Sequence, residues 1–202
     1  MTIQEPSVPI AGEVWRNQAD VPAGWPGCAL TMGVFDGFHR GHTELVSRTR
    51  HHAARCRLPS VLLTFDPHPL TVTCPERAPR KLLTIGERIA LAQHLGIDVV
   101  FVLAFTNQLA HTTAHEFASQ IIAETLHASV VVVGENFRFG HGGRGDIDTL
   151  KDAGARHGFT VDAVRLVEYE GRTCSSTLVR DYLKVGDRES AERLLGRPIS
   201  LR

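Results

Sequence analysis

The chain has 202 residues, with 22 Lys plus Arg against 22 Asp plus Glu, so its formal charge at neutral pH is zero. Such a surface has no general attraction for nucleic acid or a membrane, and any anionic ligand must be held by a local site. No apolar run reaches the length of a membrane span, MTIQEPSVPIAGE is not a signal peptide, and four scattered cysteines without a C-x-x-C point to reduced thiols in a cytoplasmic protein.

Residues 1–28 are rich in Pro, Gly and Trp without a steady period and are predicted as an N-terminal arm and turns. CALTMGV (28–34) is a short buried strand, and Arg40 to Arg55 is helical with Leu45 and Val46 on its apolar face. SVLLTF (60–65) is a second strand, stopped by DPHP, after which 66–83 is a long irregular stretch. Thr84 and Glu87 form a capping box for the next helix, which Gly96 ends. DVVFVL (98–103) is a strand, Thr112 or Thr113 caps a helix to about His127, and SVVVVG (129–134) is a strand again. Asp146 to His157 is helical with Gly158 as its stop, FTVDAVRLV (159–167) is extended, and the tail from Ser175 is helical with breaks at Gly186 and Gly196–Pro198.

Strands without polar alternation, separated by helices, predict a Rossmann-like, doubly wound parallel sheet covered on both faces. Ligands in such sheets bind beyond the carboxyl ends of the strands. Three unusual loops sit there: GVFDGFHRGH, TFDPHP and GENFRFGHGGRGD.

GVFDGFHRGH lacks the Gly-Lys-Ser/Thr of a P-loop. Its Gly33, Gly37 and Gly41 permit close backbone approach to a ligand, and the following helix N-terminus offers free N–H groups to an anion. His39 and His42 share a face of the first turn, which suits a phosphate chain. A zinc site would need a further ligand, and no Cys or Glu neighbour stands out. His111 and His115 lie in HTTAHE, which is not H-E-x-x-H, and are assigned to a helix surface. GHGGRG (140–145) matches G-x-G-x-x-G by letter only, because ENFRF separates it from its strand. In that loop Asn136 can hydrogen-bond, and Phe137 and Phe139 could stack on a flat ring, one of the two being core. Ser175, Ser176, Thr177 and Arg180 alone read as a well-capped helix with a surface Arg, and together could form a second phosphate cradle.

In this order GVFDGFHRGH, LLTFDPHP, VVVGENFRFGHGGRGD and CSSTLVRDYLKVGDRESAERLLGRPISL resemble the FMN adenylyltransferase module of prokaryotic bifunctional riboflavin kinase/FMN adenylyltransferases, from about residue 14 onward. His39-Arg40-Gly41-His42 resembles the H-x-G-H signature of the nucleotidylyltransferase superfamily, and Ser175-Ser176-Thr177-x-x-Arg180 its S-S-T-x-x-R. The resemblance implies that FMN and ATP, with Mg2+, give FAD and pyrophosphate, and that 29–202 is the nucleotidylyltransferase domain. It implies His39, His42 and Arg180 as catalytic residues, with Ser175, Ser176 and Thr177 on the β- and γ-phosphates. The first loop (Gly33, Phe35, Asp36, Gly41) and the strand end at Gly134 would receive adenosine. Phe65, Asn136, Phe137 and Phe139 would serve the flavin, and no side chain is assigned to a metal. Two departures stand out: no riboflavin kinase domain follows LLGRPISL, so no kinase activity is expected, and Leu178 stands where the family usually has Arg, removing one charge near the phosphates. The alternatives are a nucleotidylyltransferase with another phosphate acceptor and a non-catalytic flavin or nucleotide binder.

Overall fold

The computed structural model describes residues 12–199. Six parallel strands form one sheet: β1 (Glu13–Trp15), β2 (Cys28–Met32), β3 (Ser60–Asp66), β4 (Val99–Ala104), β5 (Ala128–Gly134) and β6 (Thr160–Val164). Their order is β1-β4-β3-β2-β5-β6. The chain runs outward from β2 to one side through β3 and β4, then returns to the other side with β5 and β6. The reversal lies between β2 and β5, where doubly wound sheets open a ligand crevice.

The central strands are buried on both faces and alternate between two cores. Leu30, Met32, Leu63, Phe101 and Val131 pack on one face with Phe117, Ile122 and Leu150. Leu62, Val100 and Val102 pack on the other with Val46, Ala92, Phe35 and Phe38. Continuous apolar strands therefore serve two helical layers, as the unbroken hydrophobicity predicts. The helices are α1 (Arg40–Cys56), α2 (Pro69–Thr73), α3 (Ile85–His94), α4 (Asn107–His111), α5 (Ala114–Phe117), α6 (Ile147–His157), α7 (Ser176–Lys184) and α8 (Arg188–Leu195). A π-helix over Ala118–Thr125 continues α5. No helix among the described residues is long and apolar enough to cross a membrane.

The predicted caps are present where the chemistry is local. Thr84 and Glu87 form the capping box of α3, and Asp146 and Gly158 bracket α6. Thr113, not Thr112, caps α5.

Three features differ from the sequence reading. Of the arm assigned to 1–28, residues 1–11 lie outside the described residues, but Glu13–Trp15 is a strand paired with β4. Trp15 and Trp25 are buried and meet edge to face at 4.8 Å, and the Trp25 indole N–H donates to the Leu126 carbonyl at 2.8 Å. Large buried aromatic area thus holds this segment to the domain. The stretch 66–83, read as irregular, contains α2 and a 3₁₀ turn at Pro75–Arg77. The segment 168–173 forms a small antiparallel hairpin, β7 (Glu168–Tyr169) and β8 (Arg172–Thr173).

Candidate nucleotide site

Beyond the carboxyl ends of β2, β5 and β6 lies a cleft of about 300 Å³. Gly33, Phe35, His39, Gly41 and His42 line it from the first loop, and Gly134, Asn136 and Phe137 from the end of β5. Arg165, Leu166 and Val167 after β6, then Thr173, Cys174, Ser175 and Ser176, close the far side. A second hollow, of about 350 Å³, lies on the outer face of α1 among Ser47, Arg48, His51, His52 and Arg55, and none of the three loops lines it.

The first loop makes a sharp turn in which Phe35, Gly37 and Phe38 all have left-handed backbones, with φ of 53°, 95° and 47°. For the two phenylalanines this costs roughly 1–3 kcal/mol each, and it persists because packing fixes it. Both rings are buried against α1 and α3. His39 then stands at the N-cap of α1 without a side-chain cap bond, so the first-turn N–H groups remain open to an anion. The rings of His39 and His42 stack at 3.7 Å. A Cβ at Gly41 would lie 3.1 Å from the His39 ring, a tight contact that favours glycine there.

Burial drives both imidazoles neutral. It lowers His39 to about 4, and burial, followed by the neighbouring His39, takes His42 well below its ordinary value. The Nδ1 atoms of both rings are buried without a hydrogen-bond partner among the described residues. An unpaired polar atom in a cleft is costly unless a ligand satisfies it. Both residues line the cleft, so a phosphate chain across the helix N-terminus would lie against these rings.

Asp36 and Arg180 form a support beside the cleft. The Asp36 carboxylate is buried, accepts the N–H groups of Leu82 and Leu83 at 3.0 and 3.1 Å, and pairs with the Arg180 guanidinium. Arg180 also donates through Nε to the Arg80 carbonyl at 2.8 Å. Ser176 Oγ donates to the Asp36 carbonyl, while Ser175 Oγ accepts the Leu178 N–H at 3.1 Å and caps α7. Thr177 is exposed and outside the cleft lining. The Asp36 carboxylate therefore joins loop to loop, and it holds the cation expected to meet phosphate.

Of the aromatic residues expected at a flavin, Phe137 lines the cleft and Phe139 is core, stacked on Phe137 and edge-on to Phe117. Phe65 is half-buried against Phe105 and Phe117 and does not line the cleft. Leu178 is 7% exposed and packs with Val179, Ala191, Leu194 and Leu195. Its side chain belongs to the α7–α8 core and is not among the residues that line the cleft.

Several participants carried no sequence signal. Arg165 to Val167, Thr173 and Cys174 reach the cleft only through the fold. Buried Arg88 on α3 donates to the carbonyls of Val34 and Phe65 at 2.9 and 3.0 Å and to Thr64 Oγ1 at 3.0 Å, and so ties the ends of β2 and β3 together. An Arg inside an amphipathic helix pattern looks like a surface residue until its neighbours are known.

Comparison with known proteins gives one consistent picture. A family model described as FAD synthetase matches residues 21–178. The bifunctional riboflavin kinase/FMN adenylyltransferase of Pseudomonas fluorescens is 41% identical over 175 residues, which cover 87% of this chain and 56% of that protein. The protein of the same description from Escherichia coli strain K12 is 34% identical over the same shares. The chain thus spans a little over half the length of these relatives. A crystal structure described as a macrolide-efflux protein from Streptococcus pneumoniae superposes with a TM-score of 0.79 at 28% identity, over 94% of this chain and 63% of the other.

Proposed function

The chain belongs to the FAD synthetase family, and from that premise we propose that it is an FMN adenylyltransferase, which joins FMN to ATP and releases pyrophosphate. The observation that carries this reading is the stacked, neutral His39–His42 pair with unpartnered Nδ1 atoms. It stands at an open helix N-terminus, in the same cleft as Asn136 and Phe137.

A phosphate oxygen of FMN attacks the α-phosphorus of ATP. The bond from that phosphorus to the β-bridging oxygen breaks, and pyrophosphate leaves with the electron pair. The second pKa of a phosphate monoester is about 6, so the nucleophile is ionised at neutral pH and no general base is needed. What remains is alignment and stabilisation of charge that builds on the phosphates.

His39 and His42 are assigned to phosphate oxygens at the reacting centre, together with the first-turn N–H groups of α1. Arg180 is assigned to the leaving pyrophosphate. Its fork, held by Asp36 and the Arg80 carbonyl, has further N–H groups to offer. Ser175 and Ser176 line the cleft on that side. Gly33 and Gly134, which line it at the ends of β2 and β5, would receive adenosine. Asn136 and Phe137 are assigned to the flavin.

Magnesium, when bound, neutralises phosphate charge. This cation keeps few protein ligands and would be carried mainly by the phosphates of ATP. The four cysteines are free, which supports a cytoplasmic location.

The test is direct. The purified chain is incubated with FMN, ATP and Mg2+, with FAD followed by chromatography and pyrophosphate by a coupled assay. Equimolar FAD and pyrophosphate are expected, and binding of both substrates without either product would leave only a binding role.

A further inference from the structure

Two consecutive carbonyls of the first loop are held by donors from the C-terminal helical segment. Ser176 holds the Asp36 carbonyl, and Arg197 donates through a terminal nitrogen to the Gly37 carbonyl at 2.9 Å. Arg197 lies beyond residue 178, where the family match ends. We propose that Arg197 is a positioning residue for the ATP site: it fixes the Gly37–Phe38 peptide and thereby the placement of His39 and the open N–H groups of α1. This rests on the assignment of ATP to that site.

The clamped peptide joins two left-handed residues, Gly37 and Phe38. Glycine tolerates many backbone angles, so without a donor on its carbonyl this peptide would be the least constrained of the loop. In a planar trans peptide the C=O and N–H point in opposite directions, so a donor on the Gly37 oxygen also fixes the Phe38 N–H. The turn is wedged as well as bonded. A Cβ at Gly37 would lie 2.9 Å from Leu82 Cδ1 and 3.6 Å from Leu195 Cδ2.

Arg197 is itself anchored. The Arg40 Nε donates to the Arg193 carbonyl at 2.7 Å, which docks the end of α8 on the start of α1. Beyond Arg197, the Ile199 N–H donates to Glu192 at 2.9 Å and the Ile199 carbonyl accepts from Arg188. The guanidinium thus projects from a backbone fixed on both sides. Its Nε is buried without a hydrogen-bond partner among the described residues. One terminal nitrogen reaches the Gly37 carbonyl at 2.9 Å and the other the adjacent Pro198 carbonyl at 3.4 Å, so the Gly37 contact is the short one and the one that crosses the fold.

The experiment uses Arg197→Ala and Arg197→Lys in the whole chain. A non-hydrolysable ATP analogue is titrated by calorimetry, KM for ATP and for FMN are measured separately, and each variant is melted. Arg197→Ala should bind the analogue about tenfold more weakly, the scale of one charge-assisted hydrogen bond. KM for FMN should stay near wild type while the melting temperature falls by only a few degrees, about 2–4 °C per kcal/mol for a chain of this size, and Arg197→Lys, which keeps a donor, should recover most of the loss. Unchanged ATP affinity in Arg197→Ala would overturn the proposal. So would parallel losses for ATP and FMN that track a lower melting temperature. If Arg197→Ala does not fold, Arg197→Met keeps the stem, removes the donor and decides the matter by the same readouts. A wild-type chain that binds the analogue yet makes no FAD defeats the proposed reaction, while the affinity comparison still stands.

Discussion

His39 and His42 show how two side chains can be both costly to the fold and suited to a phosphate. Their burial beside an open helix N-terminus removes solvent that a ligand must replace. His42→Ala should lower turnover on the order of 10²-fold or more, as for removal of one transition-state donor, with the melting curve retained; unchanged turnover would take His42 out of the mechanism. Their titration also makes a stability prediction. His39 titrates at about 4 in the folded chain against an ordinary value of 6.5. Between these values the unfolded chain binds more protons, so the contribution is full above pH 6.5 and is lost as the pH falls toward 4. Urea titrations of the ligand-free chain at pH 7 and pH 5 should differ by about 2 kcal/mol from His39 alone. His39→Asn should flatten that slope, and a wild-type chain equally stable at both values would contradict the burial account.

At the scale of elements, the α7–α8 segment brings Ser175 and Ser176 to the cleft and carries Arg180 and, just past α8, Arg197, while its inner faces form a small core. Leu178 belongs to that core. Leu178→Arg should therefore destabilise the chain by about 2 kcal/mol, the scale of a poorly paired buried cation, without raising turnover. A faster enzyme of equal stability would place residue 178 at the phosphates after all. Elements whose signals are local were legible in advance. Thr84 with Glu87 and Asp146 with Gly158 announce helix ends by side chains that bond neighbouring backbone. β1 and the β7–β8 hairpin were not legible. Three or two residues carry no period, and β1 exists because β4 offers an edge to pair with.

For the whole molecule, the strand order puts the cleft where the winding reverses, and that location could be read from alternating strands and helices. The backbone side of the site was legible for the same reason: glycines and histidines at a strand end leave few other uses. The aromatic side was less so. Phe65 and Phe139 have the right chemistry, but which face a ring takes is decided by packing against Phe105 and Phe117. Arg88 acts across the fold through hydrogen bonds to the Val34 and Phe65 carbonyls and Arg197 through one to the Gly37 carbonyl, contacts that no spacing announces. On the proposed function, this cleft brings an FMN phosphate to the α-phosphorus of ATP. The most direct measurement supplies FMN, Mg2+ and ATP labelled at the α-phosphorus, then separates the flavins. Label should appear in FAD with an equal amount of unlabelled pyrophosphate, and flavin that stays unlabelled while the chain is folded and binds ATP would rule the reaction out.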